Sequence, residues 1–258
     1  MTLITSSDNI RFRELLALAE SGRDRRRAGL TLIDGAHLVE SYRDRVGPPR
    51  QVVVSSSGRH RAEVAALVAG LSGVDCLELS DALFRRLAPV RTPTGIMAVI
   101  PIPEPRPWPA DPAPCVLLED VQDPGNVGSI LRSAAAAGIR EAFLSEHCAD
   151  PWSPKVLRAG MGAHFHLECF HGVDLGAFAD HYAGRLIATH LAASDSVFDT
   201  DLTGNVGLIF GNEGAGLSRG LLDAVDAVVA IPMPGRTESL NIAAAAAVCL
   251  FERVRQLG

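Results

Sequence analysis

Three short segments carry polar residues that regular secondary structure does not require. The first is Asp123-Pro124-Gly125-Asn126-Val127-Gly128-Ser129-Ile130-Leu131-Arg132, a turn-forming cluster opening directly into a helix. The second, Gly211-Asn212-Glu213-Gly214-Ala215-Gly216-Leu217-Ser218, sets one carboxylate among glycines. The third runs Ile231-Pro232-Met233-Pro234-Gly235-Arg236-Thr237-Glu238-Ser239-Leu240-Asn241. Glycines admit close approach of backbone to a ligand, and an arginine fork suits a phosphate. Each feature also has a plainer reading. Asn126 reads as a helix N-cap, Gly125 and Gly128 as turn residues, and 211–216 as a tight turn needing positive φ. Arg132 reads as a surface arginine whose stem covers the core edge, Ser239 as the cap of the last helix, and Asn241 as a satisfied buried amide. A carboxylate such as Glu213 is something a turn does not need.

The elements that must position these segments alternate in type. Short apolar runs at 115–119, 142–145, 186–190, 207–210 and 227–231 are separated by helical segments, notably 127–137 and 240–256. That alternation predicts a parallel sheet covered on both faces, whose binding crevice lies beyond the carboxyl ends of the strands. The three polar segments follow the first, fourth and fifth strands. Ahead of them, prolines at 101, 103, 105, 107, 109, 112 and 114 predict a stiff linker over 101–114. Residues 1–100 alternate again, with an amphipathic, basic-ended helix over 9–27, strands at 30–33, 52–54 and 74–79, and helices at 37–45 and 62–69, so a small α/β layer is expected.

Composition narrows the classes. Net charge is −6, which by itself argues against a nucleic-acid partner, but residues 1–110 hold 15 Arg against 12 acids (+3) and residues 111–258 hold 9 cations against 18 acids (−9). The longest apolar run, 243–251, is too short to span a membrane, and no export leader is expected at the start of the chain. The five scattered cysteines and eight histidines form no metal-ligand spacing, so no metal site is expected. No G-x-G-x-x-G follows an early strand and no G-K-[ST] occurs, which excludes dinucleotide oxidoreductase and P-loop chemistry.

Together, Asn126, Gly128 and Arg132 (N-x-G-x-x-x-R), Gly211 to Leu217 (G-N-E-G-x-G-L), and Ile231 to Met233 with Ser239 to Asn241 (I-P-M, S-L-N) resemble the three motifs of the SpoU/TrmH-like family of SPOUT RNA ribose 2′-O-methyltransferases. The resemblance extends from about residue 115 to the last residue given. The front part, with its Arg-rich helix, Leu32-Ile33-Asp34-Gly35 and Thr92-Pro93-Thr94-Gly95-Ile96, is similar to the substrate-binding domain of the rRNA-directed branch.

The resemblance implies an α/β fold: an L30e-like RNA-binding domain at 1–100 and a trefoil-knotted catalytic domain at 115–258. It implies S-adenosylmethionine as cofactor, held by Thr189, His190, Leu191, Gly211, Asn212, Gly216, Ile231, Met233 and Leu240. Arg132 is then the principal catalytic residue, with Asn126, Glu213, Ser239 and Asn241 arranging it, the ribose and the cofactor. An arginine does not deprotonate readily, so its expected role is to grip the adjacent phosphate and stabilise developing alkoxide charge, accepting a proton only late. The implied partners are RNA, ribosomal RNA given the front domain and its basic bias with transfer RNA as the alternative, and a second copy of the chain docked through the last helix, with no membrane and a cytoplasmic location. An rRNA-methylating antibiotic-resistance enzyme is a variant of the same reading. A non-enzymatic RNA-binding protein on this fold predicts decay at Arg132, Glu213 or Asn241, and all three are in place.

Overall fold

The computed structural model describes residues 2–109 and 113–258; linker positions 110–112 lie outside the described residues. It divides into two compact units, Met1–Glu104 with Trp152–Phe165, and Pro105–Pro151 with His166–Gly258.

The first unit runs β1 (Thr2–Ile4), α1 (Ile10–Glu20), α2 (Gly22–Ala28), β2 (Leu30–Asp34), α3 (Ala36–Arg45), β3 (Gln51–Ser55), α4 (Ala62–Ala69), β4 (Asp75–Leu79), α5 (Asp81–Leu87) and β5 (Ile96–Pro101). The strands lie in the order β1-β4-β3-β5-β2, with β5 antiparallel to both neighbours. Period-two alternation gives the sheet two faces. Ile33, Val52 and Val54 enter one core with α3 and α4, while Leu32, Val53 and Leu77 enter the other with Phe12, Leu15 and Phe84.

The helix expected over 9–27 is in fact two helices. Ser21 ends α1 in an extended conformation and caps α2, its hydroxyl accepting from Asp24 N at 3.1 Å. A serine that satisfies an orphan amide at a helix start holds the break in place. The linker also begins later than expected, because 96–101 forms β5 and Ile102 N donates to Gly29 O at 2.9 Å.

The second unit contains β6 (Cys115–Leu118), α6 (Pro124–Ala136) and β7 (Glu141–Leu144). After β7 the chain supplies α7 (Pro154–Gly160) to the first unit. It then continues as β8 (Glu168–His171), α8 (Leu175–Ala179), β9 (Arg185–Thr189), β10 (Asp195–Ser196), β11 (Val206–Phe210), α9 (Arg219–Asp223), β12 (Ala227–Ala230) and α10 (Ile242–Gln256). The sheet order is β10-β12-β9-β11-β6-β7-β8, parallel throughout. Central β6 and β11 are buried along their whole length, as continuous apolar runs covered on both faces require. Edge strands β8 and β10 were not expected, because neither carries an apolar run. Trp108 packs edge-on against Phe178 at 6.1 Å between ring centroids, so this part of the proline-rich stretch is seated on the core.

The sequence reading counts 152–165 with the catalytic domain, whereas these residues pack in the first unit. Leu157 joins the Ile33 and Val39 core, Thr31 Oγ1 donates to Trp152 O at 2.6 Å, and Arg158 Nη1 meets Asp34 Oδ2 at 2.6 Å. Asp34 is 1% exposed, and burial raises its carboxyl from 3.8 to about 6 even though Arg158 opposes the shift. A folded-state pKa above the unfolded one makes the folded chain bind the proton more tightly, so this stability is full below about pH 3.8 and declines as pH rises through about 6. Urea titrations should show the declining slope in this window in the wild type and lose it in Asp34→Asn. The difference across the window is on the order of 2–3 kcal/mol.

Candidate active site

In a parallel sheet the strand ends lie along one edge, and the register sets their level. Leu118 pairs with Phe210, Ile209 with Ala188, and Thr189 with Val229. The loops after β6, β9, β11 and β12 therefore leave the sheet side by side, where the strand order departs from sequence order. Backbone bonds carry the alignment past the last pairs, from Glu119 N to Phe210 O and from His190 N to Val229 O, each 2.9 Å.

The loop after β11 is held from inside. Asn212 and Gly216 exchange backbone bonds at 3.1 and 2.9 Å, and Asn212 Oδ1 accepts from Gly214 N and Ala215 N. The Asn212 amide nitrogen donates across to Asp120 O at 2.8 Å. Asp120 follows β6 with φ of 54°, a left-handed conformation uncommon outside glycine. Its carboxylate accepts from Ser145 Oγ at 2.6 Å and its N–H donates back to that hydroxyl at 2.9 Å. Glu119 accepts from Ser218 N at 2.7 Å. Sequence reasoning missed both acids, since neither sits in a motif and no glycine marks the positive φ.

The capping residues differ from those expected. Asp123, not Asn126, caps α6, accepting from Asn126 N at 2.8 Å. Asn241, not Ser239, caps α10, its Oδ1 accepting from Ala243 N and Ala244 N. The first turn of α10 begins at Ile242, after the proline- and glycine-rich segment, where Asn241 supplies the acceptor. Asn126 is thereby released for another task. Its Nδ2 donates to Glu213 Oε1 at 2.6 Å, and its Oδ1 accepts from Asn241 Nδ2 at 3.0 Å. The direction of this chain is determined at both ends. A carboxylate only accepts, and the Asn241 oxygen is committed to helix amides, so each amide has one orientation. All three motifs are tied together by it.

The loops enclose a cavity of about 500 Å³, within the range of small-molecule sites. Thr189, His190, Leu191, Gly211, Asn212, Gly216, Ile231, Met233 and Leu240 all line it, together with Glu213, Ser239 and Asn241. The lining also includes Leu217, the last residue of the second motif, and Ala192, Val229, Ile242 and Ala245, which lie outside the motifs and carry no polar mark in the sequence. Asn126 borders the site through its two bonds. Arg132 does not line it: six residues along a helix is about 9 Å and well round its axis from Asn126. It lies exposed on α6, and among the described residues nothing bonds to its guanidinium.

The lining chemistry selects a ligand class. Glu213 is the one carboxylate among the lining residues, no lysine or arginine lines the cavity, and His190 Nδ1 accepts from Ala192 N at 3.2 Å. A pyrophosphate would find no cationic side chain there. A sulfonium cation with an adenine and a short polar tail fits the carboxylate, the apolar wall of Ile231, Met233 and Leu240, and the backbone of the glycine-rich loop.

Comparison with known proteins agrees with this chemistry. Residues 113–251 match the model of the SpoU rRNA Methylase family, and residues 9–98 match that of an MRM3-like substrate binding domain. The chain is 30% identical to the 23S rRNA (guanosine(2553)-2′-O)-methyltransferase RlmP of Bacillus subtilis, over 97% of this chain and 98% of that one. It is also 30% identical to the 23S rRNA (uridine(2479)-2′-O)-methyltransferase of Streptomyces viridochromogenes, over 97% and 91%. Among solved structures, the SpoU methyltransferase AviRb from S. viridochromogenes in complex with AdoMet superposes with a TM-score of 0.85 at 30% identity, covering 96% of this chain and 98% of that one. AdoMet-bound rRNA methyltransferase from Sinorhizobium meliloti gives 0.81 at 28% identity, over 100% and 98%.

Proposed function

The chain belongs to the SpoU rRNA methylase family, and from that premise we propose that it transfers a methyl group from S-adenosylmethionine to a ribose 2′-hydroxyl of 23S-type rRNA. The observation that carries this reading is the Asn241–Asn126–Glu213 relay, which joins all three motifs at the border of a cavity suited to a cationic nucleoside. Residues 105–151 with 166–258 carry the chemistry, and 1–104 with 152–165 dock the RNA.

When bound, the cofactor supplies an electrophilic methyl group, and the protein supplies orientation and electrostatics. Gly211, Ile231 and Leu240 present the adenine-binding wall. Glu213, fixed by Asn126, would offer its carboxylate to the cationic end. Arg132 grips the phosphate beside the target ribose and stabilises charge developing on O2′ as its proton leaves. Ser239 is exposed at the cavity edge and orients the RNA side of the site.

The reading includes a homodimer through α10. This helix packs on α6 while exposing Phe251, Val254 and Leu257, an apolar stripe at helical spacing. Light scattering at micromolar concentration should give twice the chain mass; a monomer would remove the dimer from the proposal. The reading includes a cytoplasmic location, where an rRNA-directed enzyme would meet its substrate. Among the described residues no helix is long and apolar enough to cross a membrane.

The direct test incubates the protein with methyl-labelled cofactor and separate pools of deproteinised rRNA and tRNA, then analyses nucleosides. A 2′-O-methyl product in one rRNA nucleoside is expected. Product only in tRNA would move the substrate, and none in either pool would overturn the assignment for naked RNA.

A further inference from the structure

The basic run at the end of the first helical region has no part in the catalytic cavity. Because Ser21 breaks the chain there, α2 turns its arginines in different directions. Arg25 is buried and donates to Leu18 O at 3.0 Å, fastening α2 to α1. Arg23 and Arg27, four residues apart, share an exposed face. Arg27 borders a cavity of about 740 Å³ in the first unit that Arg11, Arg13 and Arg50 also line, together with the carboxylates Glu14, Asp24 and Asp75, of which Asp24 and Asp75 are each paired to an arginine.

Each ion pair on this surface leaves donors to spare. Arg13 meets Asp8 at 2.6 Å and Arg27 meets Asp24 at 2.7 Å, each through one terminal nitrogen, with the arginine side chains 62% and 75% exposed. Arg11 is tied to Asp75 in the same way. Pairs this exposed contribute little and are readily exchanged for a stronger anion. The Arg50 side chain has no partner among the described residues. No aromatic side chain lines the cavity, so base stacking, the usual device for reading single-stranded bases, is absent from its lining.

We infer that this groove, edged by Arg13, Arg27 and Arg50, is a docking surface for the RNA sugar-phosphate backbone, which anchors the substrate by charge without reading its sequence. The inference rests on the function proposed above and adds the surface that function leaves unspecified. Its occupant is polyanionic because the groove's uncommitted donors are guanidinium forks, which match phosphate geometry.

The test uses the full chain and deproteinised 23S rRNA, comparing wild type with the triple variant Arg13→Ala, Arg27→Ala, Arg50→Ala across a salt series. The expected result is a Kd raised roughly tenfold or more at low salt and a log–log salt slope flatter by about 2 to 3. Cofactor affinity should be unchanged, and kcat at saturating RNA should be retained while KM rises. A matched triple lysine variant should keep most of the slope. The alanine variant binding RNA with the wild-type Kd and slope would overturn the inference while leaving the methyltransferase reading intact. Absence of 2′-O-methyl product from both proteins, with the difference in salt slope preserved, would instead overturn the proposed function and leave the groove standing. Weakened binding to ribosomal assembly particles with unchanged binding to naked RNA would assign the groove to a protein partner and overturn it.

Discussion

Replacing Arg132 with alanine should lower kcat for methyl transfer by about 10²- to 10³-fold, the loss typical of removing one charge-stabilising donor, while the affinity for S-adenosylmethionine stays within about twofold. The dissociation of the two effects follows from position. Arg132 is exposed on α6, outside the cavity lining, with no partner among the described residues. A group that is free without substrate and is expected to engage only the reacting ribose phosphate stabilises the transition state without contributing to cofactor binding. Single-turnover transfer to rRNA and equilibrium cofactor binding measure the two quantities separately. Arg132→Lys separates charge from shape. If the planar fork matters, lysine recovers only part of the loss; near-full activity would show that a point charge suffices. Loss of cofactor binding in Arg132→Ala would place the side chain in the cofactor site instead.

How much of this was legible in the sequence depends on how each residue does its work. The strands at β6, β7, β9, β11 and β12 were readable because buried parallel strands are continuous apolar runs. β8 and β10 were not, as edge strands need neither length nor hydrophobicity. Glycine-rich loops at strand ends announced the cavity, since Gly211 is a position where any Cβ would lie 2.6 Å from the Gly216 backbone. Asp120 adopts φ of 54° with no glycine to mark it, and its role in receiving Asn212 appears only when β6 and β11 are adjacent. Ser21, followed by Gly22 and Asp24, carried a visible helix-start pattern that the surrounding basic periodicity concealed. The excursion 152–165 was beyond reach for a different reason: Leu157 looks equally apolar whichever core it enters, and the polar ties that distinguish them, Arg158 to Asp34 and Thr31 to Trp152, appear only once the chain is folded. The motif residues could be read as a set, but their wiring could not. Asn126 and Ser239 both read as caps, and the actual caps, Asp123 and Asn241, free the Asn126 side chain for the relay.

That wiring makes a second large effect predictable. Asn126→Asp is nearly isosteric, yet it should reduce kcat/KM by roughly 100-fold at about pH 8 and recover part of the loss as pH falls toward about 6. The amide nitrogen that donates to Glu213 at 2.6 Å becomes a carboxylate oxygen facing another carboxylate. Held at that separation the two carboxylates repel, so ionising both is disfavoured and the pair titrates as a unit with a raised apparent pKa. Below that pKa the shared proton restores a donor between the two positions, and the relay from Asn241 is intact. Above it the carboxylates repel, the loop after β11 loses its tie to α6, and Glu213 no longer holds its place at the cavity. Asn126→Ala removes the donor without adding charge, so its activity should be low with no recovery at acid pH. The comparison of the two pH profiles isolates the relay from general damage to α6, because a helix defect would depress both variants alike. A wild-type profile for Asn126→Asp from about pH 6 to about pH 9 would mean that Glu213 acts without Asn126 and that the bond joining the three motifs is incidental to catalysis.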